Sequence, residues 1–219
     1  MSHNLSLSNL KFGSLLSYSP HGNSDYERKS KNATLLIKGD KFFGNPPVLM
    51  SEYISQLIFK NIGTLPFAHF FDTEPILVPI PNSSLMKENS LWVPQRIATA
   101  LHEKGYGMGV VDMLKRIRHL PKAATSLSEN RPKAADHYAS LEVQDILTIP
   151  KHILLIDDVV TRGATLLGAA NKLNEKYPGV NILAFSAMRT ISNPPDFQHV
   201  YDPRVGEIIL NGENTIRDP

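Results

Sequence analysis

The chain has 219 residues, 42% hydrophobic and 20% charged, enough apolar surface to offset the ordering entropy of one large domain, which excludes a disordered tail. Its 23 Lys and Arg stand against 21 Asp and Glu, a net charge of +2 that gives no general affinity for nucleic acid or membrane surfaces, so any basic site is local. The absence of cysteine removes disulfides, thiolate zinc sites, iron–sulfur clusters and cysteine nucleophiles together. No run approaches the roughly 18 apolar residues of a membrane span, and Met1 to Lys11 is too polar for a signal peptide, so a cytoplasmic protein is expected.

Leu10 to Tyr18 and Thr34 to Lys38 read as two strands, or as a strand and a helix start, with the polar run His21 to Asn32 between them as a loop. Ser51 then predicts a helix cap, Ile54, Leu57, Ile58 and Ile62 share one helical face, and Gly63 closes the segment. Pro75 to Ile80 has the composition of a buried strand, ending in a turn at Pro81-Asn82-Ser83-Ser84. Pro94 suits a first helical turn, Val93, Ile97, Ala100 and Leu101 form an apolar stripe, and Gly105 follows it. Gly109 to Leu114 is a further strand candidate. The segment from there to about Tyr138 has no clean period, but Lys115, Arg116, Arg118, Lys122, Arg131 and Lys133 face only Glu129 within residues 115–133. On charge alone it reads as a solvated, partly helical surface arm.

Ile153 to Ile156 is a continuous apolar run, typical of a central parallel strand covered on both faces, and it ends in Asp157 and Asp158. From Thr165 the residues Leu166, Ala170, Leu173 and Tyr177 keep helical spacing until Pro178-Gly179, and Val180 to Ala187 is apolar again. Strand, turn, helix and strand form a βαβ unit, which predicts an α/β fold with a mostly parallel central sheet flanked by helices. Ligands of such sheets bind at the carboxyl ends of the strands, where the two acids and the loop Thr161-Arg162-Gly163-Ala164-Thr165 fall. Two hydroxyls, a glycine and the amides of a helix start make a cradle for a phosphate dianion. Carboxylates beside a phosphate require a ligand that also carries hydroxyls or a cation, and a ribose 5-phosphate meets that requirement.

The thirteen residues Ile153 through Thr165, ILLIDDVVTRGAT, closely resemble the phosphoribosyl-pyrophosphate (PRPP) binding motif of type I phosphoribosyltransferases. Over residues 75–190 the subgroup resembled most is the ComF-type, associated with competence proteins. Val78-Pro79-Ile80-Pro81 is similar to its VPVP strand, Leu114 to Arg118 to its basic arm, Leu127-Ser128 with Arg131 to its LS and R pair, and Ala187-Met188-Arg189-Thr190 to its post-motif strand ending. The chain departs from that group in lacking the four-cysteine zinc ribbon, in Asn89-Ser90-Leu91-Trp92, and in Leu120 and Ala123 of the arm. Thr161 stands where 6-oxopurine salvage relatives carry an aspartate, which argues against hypoxanthine or guanine.

The resemblance implies a Rossmann-like type I phosphoribosyltransferase fold in a single domain: an N-terminal extension or hood over residues 1–64, a PRPP-binding core over 65–190 and a C-terminal segment over 191–219. It implies a glycosyltransferase, specifically a pentosyltransferase, moving 5-phosphoribosyl from Mg-PRPP to a nucleobase or related amine with release of pyrophosphate. Asp157 and Asp158 would serve the ribose hydroxyls and Mg²⁺, Thr161, Arg162, Gly163, Ala164 and Thr165 the 5-phosphate, and Pro81, Asn82 and Ser83 the pyrophosphate. Arg116, Arg118 and Lys122 would be cations of a closing lid, and Tyr201 with Asp202 would border the acceptor pocket. Trp92 reads instead as a packing residue, and His119, His137 and His199, which share no metal-ligand spacing, as surface or core residues. Dimers are common in the family, so a homodimer is an open expectation, while nucleic acid and membrane are disfavoured partners. The alternative is a protein that binds PRPP or a nucleotide without chemistry, regulating transcription or DNA uptake.

Overall fold

Four apolar residues in succession on a strand need cover on both faces, and the fold supplies it. The computed structural model describes residues 5–121 and 131–218. In chain order its elements are β1 (Asn9–Tyr18), α1 (Asp25–Lys38), β2 (Phe42–Phe43), β3 (Val48–Leu49), α2 (Met50–Asn61), α3 (His69–Asp72), β4 (Ile76–Pro79) and α4 (Val93–Glu103). There follow β5 (Gly109–Val110), β6 (Leu114–Arg116), α5 (Ala134–Ala139), β7 (Leu141–Val143), β8 (His152–Val160), α6 (Ala164–Lys176), β9 (Asn181–Thr190), β10 (Tyr201–Asn211) and β11 (Asn214–Asp218).

The main sheet has seven strands in the order β11-β10-β1-β9-β8-β4-β5. From β1 to β5 every neighbouring pair is parallel, and β10 and β11 add an antiparallel ribbon at one edge. Along β8 the side chains alternate between two cores. Leu154 and Ile156 pack with Ile37 of α1, Ile54 and Ile58 of α2, and Ile97 and Leu101 of α4. Ile153 and Leu155 pack with Leu166, Ala170 and Leu173 of α6 and with Ala134 of α5. The result is the expected α/β architecture with helices on both faces of a mostly parallel sheet.

Several expectations are corrected. The polar run His21 to Asn32 is not a loop, because α1 begins inside it: Ser24 Oγ accepts from the Glu27 amide at 3.3 Å and Glu27 Oε2 accepts from the Ser24 amide at 2.7 Å. That reciprocal capping box starts a helix whose face is mostly polar, so hydrophobic periodicity does not reveal it. Ser51 does not cap α2; its amide donates to Asp40 Oδ1 at 2.8 Å, and the buried Asp40 also pairs with Arg96 at 2.9 Å. The strand expected over Gly109 to Leu114 is split into β5, at the sheet edge, and β6, which pairs with β7 in a separate ribbon. β1 lies between β9 and β10 within the main sheet.

Candidate functional site

The candidate site is built at the carboxyl end of β8. The strand continues past the apolar run, so Asp157 remains in register with Ser186 of β9 instead of lying in the loop. Asp157 Oδ1 accepts from the Asp158 amide at 2.9 Å, and Asp158 Oδ1 from the Val159 amide at 2.7 Å. Burial, and then the neighbouring Asp158 carboxylate, push the Asp157 carboxyl well above the usual carboxylate range, with Lys38 acting in the opposite sense. The Asp157 charge is felt at Arg116, where it opposes the lowering of the Arg116 pKa by burial.

Beyond Val160 the chain turns through Thr161 and Arg162 to Gly163, whose φ of 81° opens α6. A Cβ there would stand 2.5 Å from Ile208 Cγ1, so both conformation and space select glycine. No side chain caps α6, which leaves its first amides turned to the cleft, with the helix dipole favouring an anion. The loop is braced from the far edge of the sheet. Arg217 of β11 donates from Nε to the Thr161 carbonyl at 2.8 Å and from Nη2 to the Thr190 carbonyl, and its guanidinium lies 5.7 Å from the centre of the Phe12 ring. Burial, followed by the charge of Arg189, lowers the Arg217 pKa to about 10. Its Nη1 is buried without a partner, and among the described residues no carboxylate pairs with it.

Asp157 and Thr161 to Thr165 line one cleft of about 400 Å³, together with Tyr18, Lys38, Arg131 and His137. Asp158 lies beside this cleft without lining it. His137, on α5, is 5% exposed, and its Nε2 lies 3.3 Å from Thr165 Oγ1. Burial first, and then the Arg116 charge, lower its pKa to about 3, so the ring is neutral at ordinary pH. Neither His137 nor Arg217 carries a local signal that would have marked it in the sequence, because both reach the loop from distant elements.

The loop Pro81 to Ser83 follows β4, the neighbour of β8, and is tied to it where the Ile80 amide donates to the Ile156 carbonyl at 2.9 Å. It does not line the cleft that holds Asp157 and Thr161 to Thr165. Arg116, expected as a lid cation, is 4% exposed. Its guanidinium donates to the Asn82 carbonyl at 3.1 Å, the Pro81 carbonyl at 3.4 Å and Ser140 Oγ at 2.5 Å, so it braces this loop from beneath. The Leu120 amide adds a bond to the Ser83 carbonyl at 3.0 Å. Arg118 is exposed and outside the cleft, and Lys122 lies outside the described residues. Asp202 forms ion pairs with Arg189 and Arg204. Trp92 donates its indole N–H to the Ile80 carbonyl at 2.7 Å, in keeping with a packing role.

Among the described residues no group of three or more His, Asp or Glu side chains converges to hold a metal alone. The adjacent Asp157 and Asp158 suit an ion that draws on one or two carboxylates and completes its shell with water and ligand oxygens. The chain matches no protein-family model, and no curated protein matches its sequence.

Proposed function

We propose that this chain binds PRPP with Mg²⁺ and transfers its 5-phosphoribosyl group to a nitrogen nucleophile. The observation that carries the proposal is the loop Thr161 to Thr165 at the uncapped start of α6, one turn from Asp157 in the same cleft. The half-buried Arg217 cation beside the Thr161 carbonyl, whose Nη1 is buried without a partner among the described residues, supports it, because an anion in the loop would offset its charge.

In this proposal the first amides of α6 and the hydroxyls of Thr161 and Thr165 hold the 5-phosphate. That remote binding energy fixes the anomeric carbon in place. Asp157 accepts from the ribose hydroxyls and stabilises positive charge developing on the ring. The bond from the anomeric carbon to pyrophosphate breaks with its electron pair leaving on pyrophosphate, the acceptor nitrogen's lone pair forms the new bond, and its proton passes to solvent. Mg²⁺, when bound, disperses charge on the pyrophosphate oxygens, and Asp157 with Asp158 is the pair that would hold or orient it. Pro81 to Ser83, kept in place by Arg116, would present backbone to the pyrophosphate.

A second reading, a PRPP or nucleotide sensor without chemistry, is favoured by one observation: Arg116 is committed to bracing and Arg118 lies outside the cleft. Calorimetric titration with PRPP and Mg²⁺, followed by a pyrophosphate-release screen over bases and small amines, separates the two. Binding with release for one acceptor is the result expected of the transferase, binding without release supports a PRPP sensor, and absence of binding refutes the transferase and the PRPP sensor alike.

A further inference from the structure

One buried polar group in the cleft has no part in the function proposed above. His137 Nδ1 is buried and has no hydrogen-bond partner among the described residues, while Nε2 faces Thr165 Oγ1 at 3.3 Å. The ring is held rigidly. The Ser140 hydroxyl donates to the His137 carbonyl at 2.8 Å, and His137 Cβ packs against Gly168 of α6, where any added Cβ would come within 2.7 Å of it. Gly168 therefore lets α5 approach α6 closely enough to set the imidazole beside the first turn of the helix.

A neutral imidazole carries one N–H, and the two tautomers have opposite consequences for Thr165. With the proton on Nδ1, a buried N–H is orphaned, and Nε2 must accept from the Thr165 hydroxyl, using its only proton. With the proton on Nε2, only a lone pair is left unpaired at Nδ1, and the Thr165 oxygen accepts. Orphaned buried N–H groups are the rarer and more costly defect, which selects the second arrangement. The doubly protonated ring is disfavoured at ordinary pH by burial and by Arg116, with Asp136 acting in the opposite sense.

We propose that His137 is a positioning residue for the anion loop: its Nε2–H donates to Thr165 Oγ1 and so leaves the Thr165 hydroxyl proton free to donate to a phosphate oxygen. The unprotonated oxygens of a phosphate can only accept hydrogen bonds, so a threonine whose proton is already spent would present only lone pairs to them. The inference rests on the phosphate reading of the cleft and adds to it a residue that selects a deprotonated oxyanion over a neutral hydroxyl ligand.

The test begins with the unmodified protein, labelled with ¹⁵N-histidine and observed by long-range proton–nitrogen correlation. The His137 signal, identified by its loss in His137→Gln, is expected to show a bare Nδ1 and a protonated Nε2, unchanged between about pH 5 and pH 8. Titration with inorganic phosphate then compares the wild type with Thr165→Val, His137→Leu and the double variant. Each single variant is expected to weaken binding by about tenfold, the scale of one hydrogen bond to a charged group. The double variant should be no weaker than Thr165→Val, and His137→Gln, whose amide can donate from a similar position, should stay within about threefold of the wild type.

A protonated Nδ1, or wild-type phosphate affinity in a folded His137→Leu, overturns this inference alone when the wild type binds phosphate. Failure of the wild type to bind phosphate overturns the reading of the cleft and the inference with it. If His137→Leu does not fold, the tautomer in the unmodified protein decides.

Discussion

Replacing Gly163 by alanine tests whether the anion loop is held by geometry that only glycine satisfies. The residue has φ 81°, and an alanine Cβ would stand 2.5, 2.6 and 2.7 Å from Cγ1, Cδ1 and Cγ2 of Ile208. The left-handed backbone costs a non-glycine residue about 1–2 kcal/mol. Ile208 is fully buried among Leu10, Phe12 and Leu166 and cannot swing aside, so overpacking adds about 1–3 kcal/mol. The sum, about 2–5 kcal/mol, corresponds to a fall in Tm of about 5–15 °C for a domain of this size. Thermal and urea unfolding of Gly163→Ala, Ile208→Ala and the double variant separate the two parts. Because Ile208→Ala removes the clash but not the backbone strain, the double variant should be more stable than the sum of the singles predicts, by about 1–3 kcal/mol. Wild-type stability in Gly163→Ala, or strict additivity with Ile208→Ala, would refute the close approach of the loop to the C-terminal ribbon.

Asp157→Asn should lose PRPP binding in calorimetry yet gain stability relative to the wild type as pH rises. The sign follows from the raised folded-state pKa: protonation favours the fold, so that contribution is fully present below the unfolded value of about 3.9 and is lost as pH rises through the folded value. Melting curves of the two proteins should converge near pH 3 and separate at pH 8; a lower Tm for Asp157→Asn at pH 8 contradicts the assigned burial. Arg116→Met leaves the Pro81 and Asn82 carbonyls without their guanidinium partner and should destabilise by about 1–3 kcal/mol in urea unfolding, whereas a solvated lid residue would leave stability unchanged. Arg217→Met removes the half-buried cation at Thr161, and phosphate affinity measured by calorimetry should fall by about tenfold or more; unchanged affinity would sever β11 from the proposed anion site.

The sequence by itself determined the strand, turn and helix from Ile153 to Lys176, because each signal is local. An apolar run covered on both faces, a glycine at a left-handed turn and a helical stripe ended by Pro178-Gly179 need no distant partner to be read. The start of α1 was equally local, but its signal was a capping box within polar residues, which a search for apolar periodicity passes over. Only the tertiary structure decided the rest. Charge patterning places Arg116 on a basic arm, but depth below the surface depends on what packs above it, and the Pro81-Asn82 loop covers it. The insertion of β1 between β9 and β10 is a long-range pairing with no local mark. His137 and Arg217 reach the loop Thr161 to Thr165 from 28 and 56 residues away. Their roles arise from burial and from which hydrogen-bond partners the fold withholds, properties that belong to the packed molecule and not to any segment of its chain.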